Sequence, residues 1–555
     1  MISIDNDDAV ASARYDIERA MLAASEWELW EEGVRVASLG PENIEFSVEW
    51  GKLIFAWWDE AHSQSRRVAA YEADGAEIRL QVSGGLARGM RRLTLRDPSR
   101  RSAVSRLEGR ALFGALLAEW IVRDFPGAKL VRASTGSDRT HSVTGNYARL
   151  VVRQAGETIL VVGVSAAESQ PEIDGVIATG LVWLAAFNQR RDARRHARRL
   201  WFCLPAGRSL TALERLTWID VSSRNARIEC FEVNEGRGSL IPLRPVTQTE
   251  LLNARGQDAL WPPRPIRCEP WRARILALAP GLIEARERPH RSGERFSIRG
   301  LEFARVEGEA PSVVTFGVAG GCDETPLTED RLPALARLVE KIARYRRADS
   351  PDRQHPFYRL RPEAWLESLL RRDIRSLDPR LDERYVYSQV PTWRGGERSV
   401  IDLLSLDHQG RLAVIEIKVT EDRQLPLQGL DYWMRVEQAR LRGEFARRGL
   451  FAGRIIADQP PMLYLVAPRL RFHRSFAIVA NCLAPRVEAY RIGVNDNWRD
   501  GVKVRAIDKV RRAPGEPSPV PPGFSLPNLE PEFREVDSGA VFENETHSAM
   551  KNERG

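Results

Sequence analysis

A chain of 555 residues exceeds what one ordinary core holds, and at about 150 residues per domain it divides into several units. Its 43% hydrophobic and 29% charged residues exclude a fibrous or wholly disordered chain, and no run reaches the roughly 18 apolar residues of a membrane helix. The net charge of +7 draws only weakly on polyanions at this length, and the five cysteines, Cys203, Cys230, Cys268, Cys322 and Cys482, lack the paired spacing of a zinc site or a disulfide framework.

The first residues, MISIDNDDAV, are acidic where a signal peptide is basic and then apolar, so a cytoplasmic protein with no membrane partner is expected. Residues 13 to 26 carry a helical pattern, and the stretches IEFSVEWGKLIFAWWDE and EIRLQVS alternate as strands do, giving a small β-rich module over 1–98. A helix follows over 105–122, then strands NYARLVV and TILVVGVS, a helix near 174–190, and strands LWFCLP and RIECFEV, together an α/β domain over 99–250. The arginine run RRDARRHARR at 190–199 is expected as a solvated helix face.

The same element order recurs downstream, with a helix and β-rich module over 251–350 and an α/β domain over 355–512. Ile44-Glu45-Phe46 matches Leu301-Glu302-Phe303, Gly156 matches Gly410, LWFCLPAG matches LYLVAPRL, and ARIECFEV matches PRVEAYRI. Identities are few, so the tandem duplication rests on order and spacing. Residues 513–555 are rich in proline and lack periodicity, and a disordered tail is expected there.

The stretch ERSVIDLLSLDHQGRLAVIEIKVTEDRQ reads as a β-hairpin. With His408, Gln409 and Gly410 as a three-residue loop and Gly410 left-handed, Asp407 pairs with Arg411, which sets Asp402 opposite Glu416. Lys418 shares the face of Glu416 one pleat further on, at about 6.5–7 Å along the strand. Lys418 is also one of only seven lysines beside 76 arginines, a bias toward arginine that a compact point charge at one position would resist. Two carboxylates beside one ammonium call for a compensating cation, and Mg²⁺ or Mn²⁺ suits oxygen ligands with phosphate as a further ligand.

Asp402 followed by Glu416-Ile417-Lys418 resembles the PD-(D/E)xK nuclease superfamily. The resemblance implies a restriction-endonuclease-like mixed sheet flanked by helices, a metal held by Asp402, Glu416 and the Ile417 carbonyl, and hydrolysis of DNA phosphodiesters, with RNA open. It implies a further acid from the preceding helix, Glu363 or Glu367, with Glu367 favoured. Gln428 and Tyr432 at i and i+4 resemble the Q-x-x-x-Y motif of RecB-type members, a substrate-binding or buttressing element. Arg435 and Arg440 on that helix are candidate phosphate contacts, and His473 is expected to be structural. Setting Gly156 against Gly410 places Ala148 or Arg149 at Asp402, Val162 or Gly163 at Glu416, and Val164 or Ser165 at Lys418, so the first copy is expected to be degenerate. No G-x-x-x-x-G-K-[ST] stretch is present, and a homodimer or a protein partner is left open.

Overall fold

The structure is a computed structural model that describes residues 2–4, 7–21, 26–31, 34–40, 43–49, 52–58, 63–74, 77–83, 90–96, 98–136, 146–189, 195–253, 269–287, 293–307, 313–318, 325–394 and 397–510. The tail beyond 512 lies outside them, and so does the centre of the arginine run; what is described of that run, residues 195–199, leads into the strand Ala197–Pro205 rather than forming a helix face. The protein is mixed α/β, and no helix among the described residues is long and apolar enough to cross a membrane.

The chain forms two compact units, each assembled from interleaved stretches: Met1–Arg106, Trp261–Asp373 and Asn497–Val502 in the first, Leu107–Leu260, Ile374–Asp496 and Lys503 onward in the second. The first unit holds both β-rich modules. One is an eight-stranded sheet with the helix Asp7–Met21, which begins some residues before the periodicity places it. The other is a five-stranded antiparallel meander from Ile283–Glu287 to Thr325–Pro326, packed against the helix Leu332–Tyr345 through Leu335, Val339 and Ile342. The helix Pro362–Arg372 also belongs here, with Trp365 fully buried and Arg346 stacked 4.8 Å over its ring.

The second unit contains two six-stranded sheets. In chain order the first runs Lys129–Ser134, Ala148–Gln154, Glu157–Gly163, Ala197–Pro205, Arg227–Asn234 and Ser239–Leu243. The second runs Leu381–Arg394, Glu397–Asp407, Leu412–Ile417, Met462–Pro468, Glu488–Val494 and Val504–Lys509. In both, strands lie side by side in sequence order, and the pairings run antiparallel, antiparallel, parallel, parallel, antiparallel. The edge strands Lys129–Ser134, Ser239–Leu243, Leu381–Arg394 and Val504–Lys509 were not foreseen from the sequence. RAIDK within the last is exposed at most positions, so it carries little apolar pattern.

Each sheet receives its crossover helix through a glycine. A Cβ on Gly180, in the helix Gln170–Gln189, would lie 2.5 Å from Phe202 Cε1. A Cβ on Gly429, in the helix Leu425–Leu441, would lie 2.5 Å from Leu465 Cδ2. In both cases the missing side chain lets the helix backbone settle onto the fourth strand of the sheet, the middle one of its three parallel-paired strands. The helix Gln170–Gln189 is buried on nearly every side because it serves the first sheet and also joins a core shared with the second, which includes Leu181, Val182, Leu430, Trp433, Val479 and Leu483.

The seam between the two sheets' helices also contains charge. Arg215 Nε and Nη2 donate to Asp431 Oδ1 and Oδ2 at 3.0 and 2.8 Å, and both residues are almost fully buried. Beside them Arg435 Nη2 donates to Glu214 Oε2 at 2.7 Å, and Trp218 meets Trp433 edge to face at 4.8 Å between centroids. Ile219 and Leu483 form an antiparallel bridge flanked by Asp220 N to Cys482 O and Ala484 N to Trp218 O, each 2.7 Å. Asp431→Ala would strand the Arg215 charge in this core, and a loss of about 3–5 kcal/mol is expected from urea unfolding, with Arg215→Met plus Asp431→Leu recovering most of it.

Candidate active site

The hairpin register matches the one read from the sequence. Leu406 pairs with Leu412 and Leu403 with Ile415, Gly410 N donates to Asp407 O at 3.0 Å, and Gly410 has φ +88°. A Cβ on Gly410 would fall 2.2 Å from the Ile455 carbonyl oxygen, so the turn requires glycine for space as well as for its φ. Asp407 fixes the loop further, its Oδ1 accepting from Gln409 N and Arg411 N at 2.8 Å each.

Beyond Leu403 and Ile415 the two strands part. Lys418 N turns to Val466 O at 2.9 Å on the neighbouring parallel strand, while Ile417 N donates to Asp402 Oδ2 at 2.8 Å. Asp402 thus sits in the opening between the strands, its carboxylate fixed by a charge-assisted bond to the backbone. Glu416 is opposite, 3% exposed, and Lys418, 7% exposed, brings Nζ to 3.7 Å from Glu416 Oε1. The whole of Leu412–Ile417 is buried, so these charges occupy a wall of low polarity that strengthens their mutual field.

The helix Leu425–Leu441 covers this face. Tyr432 is half-buried, its hydroxyl accepting from Ser399 Oγ at 3.1 Å, and its ionisation is pushed up by burial and then by the negative charges of Glu416 and Asp402. One turn earlier, Gln428 Oε1 is buried and accepts no hydrogen bond among the described residues. Ser399 escaped the sequence reading because one serine in ERSVIDLL carries no spacing signal.

Other sequence candidates lie elsewhere. Arg435 and Arg440 point to internal partners, Arg435 to Glu214 and Arg440 to Glu437 at 2.7 Å. Glu363 and Glu367 belong to the first unit, where Glu367 is buried and its Oε1 accepts from Arg286 Nη1 at 3.2 Å. The structure therefore brings together Asp402, Glu416, Ile417, Lys418, Ser399, Gln428 and Tyr432 in one unit and carries the two further acids in the other. Among the described residues no group of three or more His, Cys, Asp or Glu converges as a metal-holding set.

The first sheet has a hairpin of the same pairing pattern, and the two can be compared by setting Phe202 against Leu465, which the helix glycines Gly180 and Gly429 each meet. Glu416 and Ile417 pair with Leu465 and Val466, as Val162 and Gly163 pair with Phe202 and Cys203, and Val164 N bonds Cys203 O as Lys418 N bonds Val466 O. Val162 and Val164 thus stand where Glu416 and Lys418 do, and Arg149, paired with Val162, stands where Asp402 does. Here the hairpin stays zipped through Ala148 and Gly163, and no opening forms. Arg149 is 6% exposed, donates to Ser134 Oγ at 3.3 Å and to Gly136 O, and lies 5.9 Å from the ring of Trp183. Trp183 holds the place of Tyr432, each three residues past its helix glycine.

Comparison with known proteins found no matching family model, no matching curated protein and no matching solved structure.

His473, on the loop after the fourth strand of the second sheet, closes a local turn: Ser475 N donates to its Nδ1 at 3.1 Å and Ser475 Oγ lies 2.7 Å from the same atom. Burial, then the Arg423 and Arg474 charges, lowers its pKa to about 4. An unfolded histidine near 6.5 takes up a proton before the folded one does, so stability falls as pH drops from about 6.5 to 4. In His473→Asn the urea midpoint is expected to change less steeply across that window; an unchanged slope counts against a buried neutral ring.

Proposed function

We propose that this protein is a metal-dependent nuclease that hydrolyses DNA phosphodiester bonds at Asp402, Glu416 and Lys418, on a restriction-endonuclease-like fold present in tandem duplicate with a degenerate first copy. One observation carries the reading: Asp402 is held in the opening of the hairpin by Ile417 N–H, facing buried Glu416, with the Lys418 ammonium alongside. Glu416 and Lys418 are buried charged side chains at the end of a strand that is otherwise apolar. They fit the needs of a reaction in which charge develops on phosphorus oxygens.

The donor set fits a hard divalent cation. Asp402, Glu416 and the Ile417 carbonyl would hold Mg²⁺ or Mn²⁺, a small set of oxygen ligands that leaves room for water and phosphate. Bound there, the ion would acidify a water and offset phosphodiester charge. Lys418 supplies a compact positive charge beside Glu416, suited to orient the attacking water or to stabilise the extra negative charge at phosphorus. The bond from Ile417 N–H to Asp402 keeps one carboxylate oxygen in place, which removes a rotamer cost from the reacting state. Gln428 offers a buried amide oxygen to a donor on the substrate, and Tyr432 a hydroxyl held neutral by its surroundings. The reading rests on the hairpin residues alone; Glu363 or Glu367 as a further ligand follows only from the resemblance.

The tandem reading is supported by the shared strand order and directions of the two sheets and by their equivalent helix glycines. Purified protein with Mg²⁺ or Mn²⁺ is expected to cut at least one of duplex, single-stranded, flap and mismatched DNA. Lys418→Ala and Asp402→Asn are each expected to lower the rate by on the order of 10²-fold or more while thermal unfolding stays close to that of the parent. Arg149→Ala is expected to leave turnover intact. Cutting that survives in both site variants, or that occurs only on RNA, would overturn the assignment to DNA hydrolysis at this site; DNA binding without turnover on any substrate would favour a nucleic-acid-binding scaffold.

A further inference from the structure

Cutting both strands of a duplex in one encounter takes two reaction centres, because the strands run in opposite directions and one centre addresses one phosphodiester. A twofold pair of identical sites is the usual way to provide them. In this protein the place of such a partner is filled from within the chain. The loops that follow the helices Leu210–Leu216 and Phe476–Ala480 meet in an antiparallel bridge between Ile219 and Leu483, in which Asp220 N bonds Cys482 O and Ala484 N bonds Trp218 O. The helix Leu425–Leu441 is covered along this seam by Arg215 on Asp431, Glu214 on Arg435, and Leu251 O accepting from Gln438 Nε2 at 2.8 Å. The partner so supplied has Arg149, Val162 and Val164 in a closed hairpin where a second centre would stand.

Resting on the nuclease reading above, we infer that the protein is a nicking enzyme: a single chain supplies its own inactive partner and opens one strand of a duplex per encounter. In each event the oxygen of one water bonds to phosphorus and the bond from phosphorus to one bridging ester oxygen breaks. That oxygen leaves as a hydroxyl with the proton from the water, so one water is consumed and one strand is opened.

The test uses the full chain on supercoiled plasmid with Mg²⁺ or Mn²⁺, resolving supercoiled, nicked and linear forms over time and over a wide range of protein concentration. Nicked circle is expected to accumulate until the supercoiled form is nearly gone, with linear DNA appearing only later, and the initial rate is expected to rise in proportion to protein. Linear DNA formed from the start alongside nicked circle, or a rate that rises with the square of protein concentration, would overturn the inference while leaving the nuclease reading in place. Cleavage confined to single-stranded DNA would overturn it as well. No product from any DNA with either ion would overturn the nuclease reading and this inference with it.

Discussion

Where the strands Glu397–Asp407 and Leu412–Ile417 separate, the backbone N–H of Ile417 gives up its partner across the ladder and takes the Asp402 carboxylate at 2.8 Å. A buried amide has to be paired, and a carboxylate pairs it more strongly than a carbonyl does. That substitution keeps the hairpin open at its end. It also settles where Asp402 points, and so places it against Glu416. In the first sheet the corresponding residues, Ala148 and Gly163, remain in the ladder, and the side chain facing Val162 is an arginine that turns away to Ser134 and Gly136. Two hairpins of the same topology thus differ in whether one backbone amide is satisfied by a side chain or by the opposite strand.

The hairpin was legible because every constraint on it is local. Gly410 is needed for its φ and for clearance from Ile455, Asp407 ties the loop, and a period of two then carries the register to Asp402 and Glu416. The central strands were legible for a related reason, since apolar runs such as LWFCLP and MLYLVAP are buried along nearly their whole length. The edge strands were not, because exposure on one side dilutes the apolar signal. The roles of Arg435 and Arg440 were also hidden: a basic residue on a helix looks the same in sequence whether it meets phosphate or an internal carboxylate such as Glu214.

Electrostatics in the second unit follows one pattern in two settings. At the seam, Arg215 and Asp431 neutralise each other bidentately, so the burial of charge is compensated within the chain. At the hairpin, Lys418 Nζ lies 3.7 Å from Glu416 Oε1, and the charges of Glu416 and Asp402 help hold the neighbouring Tyr432 hydroxyl protonated.

The interleaving of the two units bears on how the chain is made. The first unit draws on residues as late as Asn497–Val502, and the second begins at Leu107 and takes its last strand from Val504–Lys509. During synthesis neither unit is complete until nearly all described residues have emerged, so the usual order in which an N-terminal domain folds before the next is made does not apply here. A chain stopped anywhere between the two six-stranded sheets would release both units unfinished, which ties assembly of the whole to arrival of its final strand.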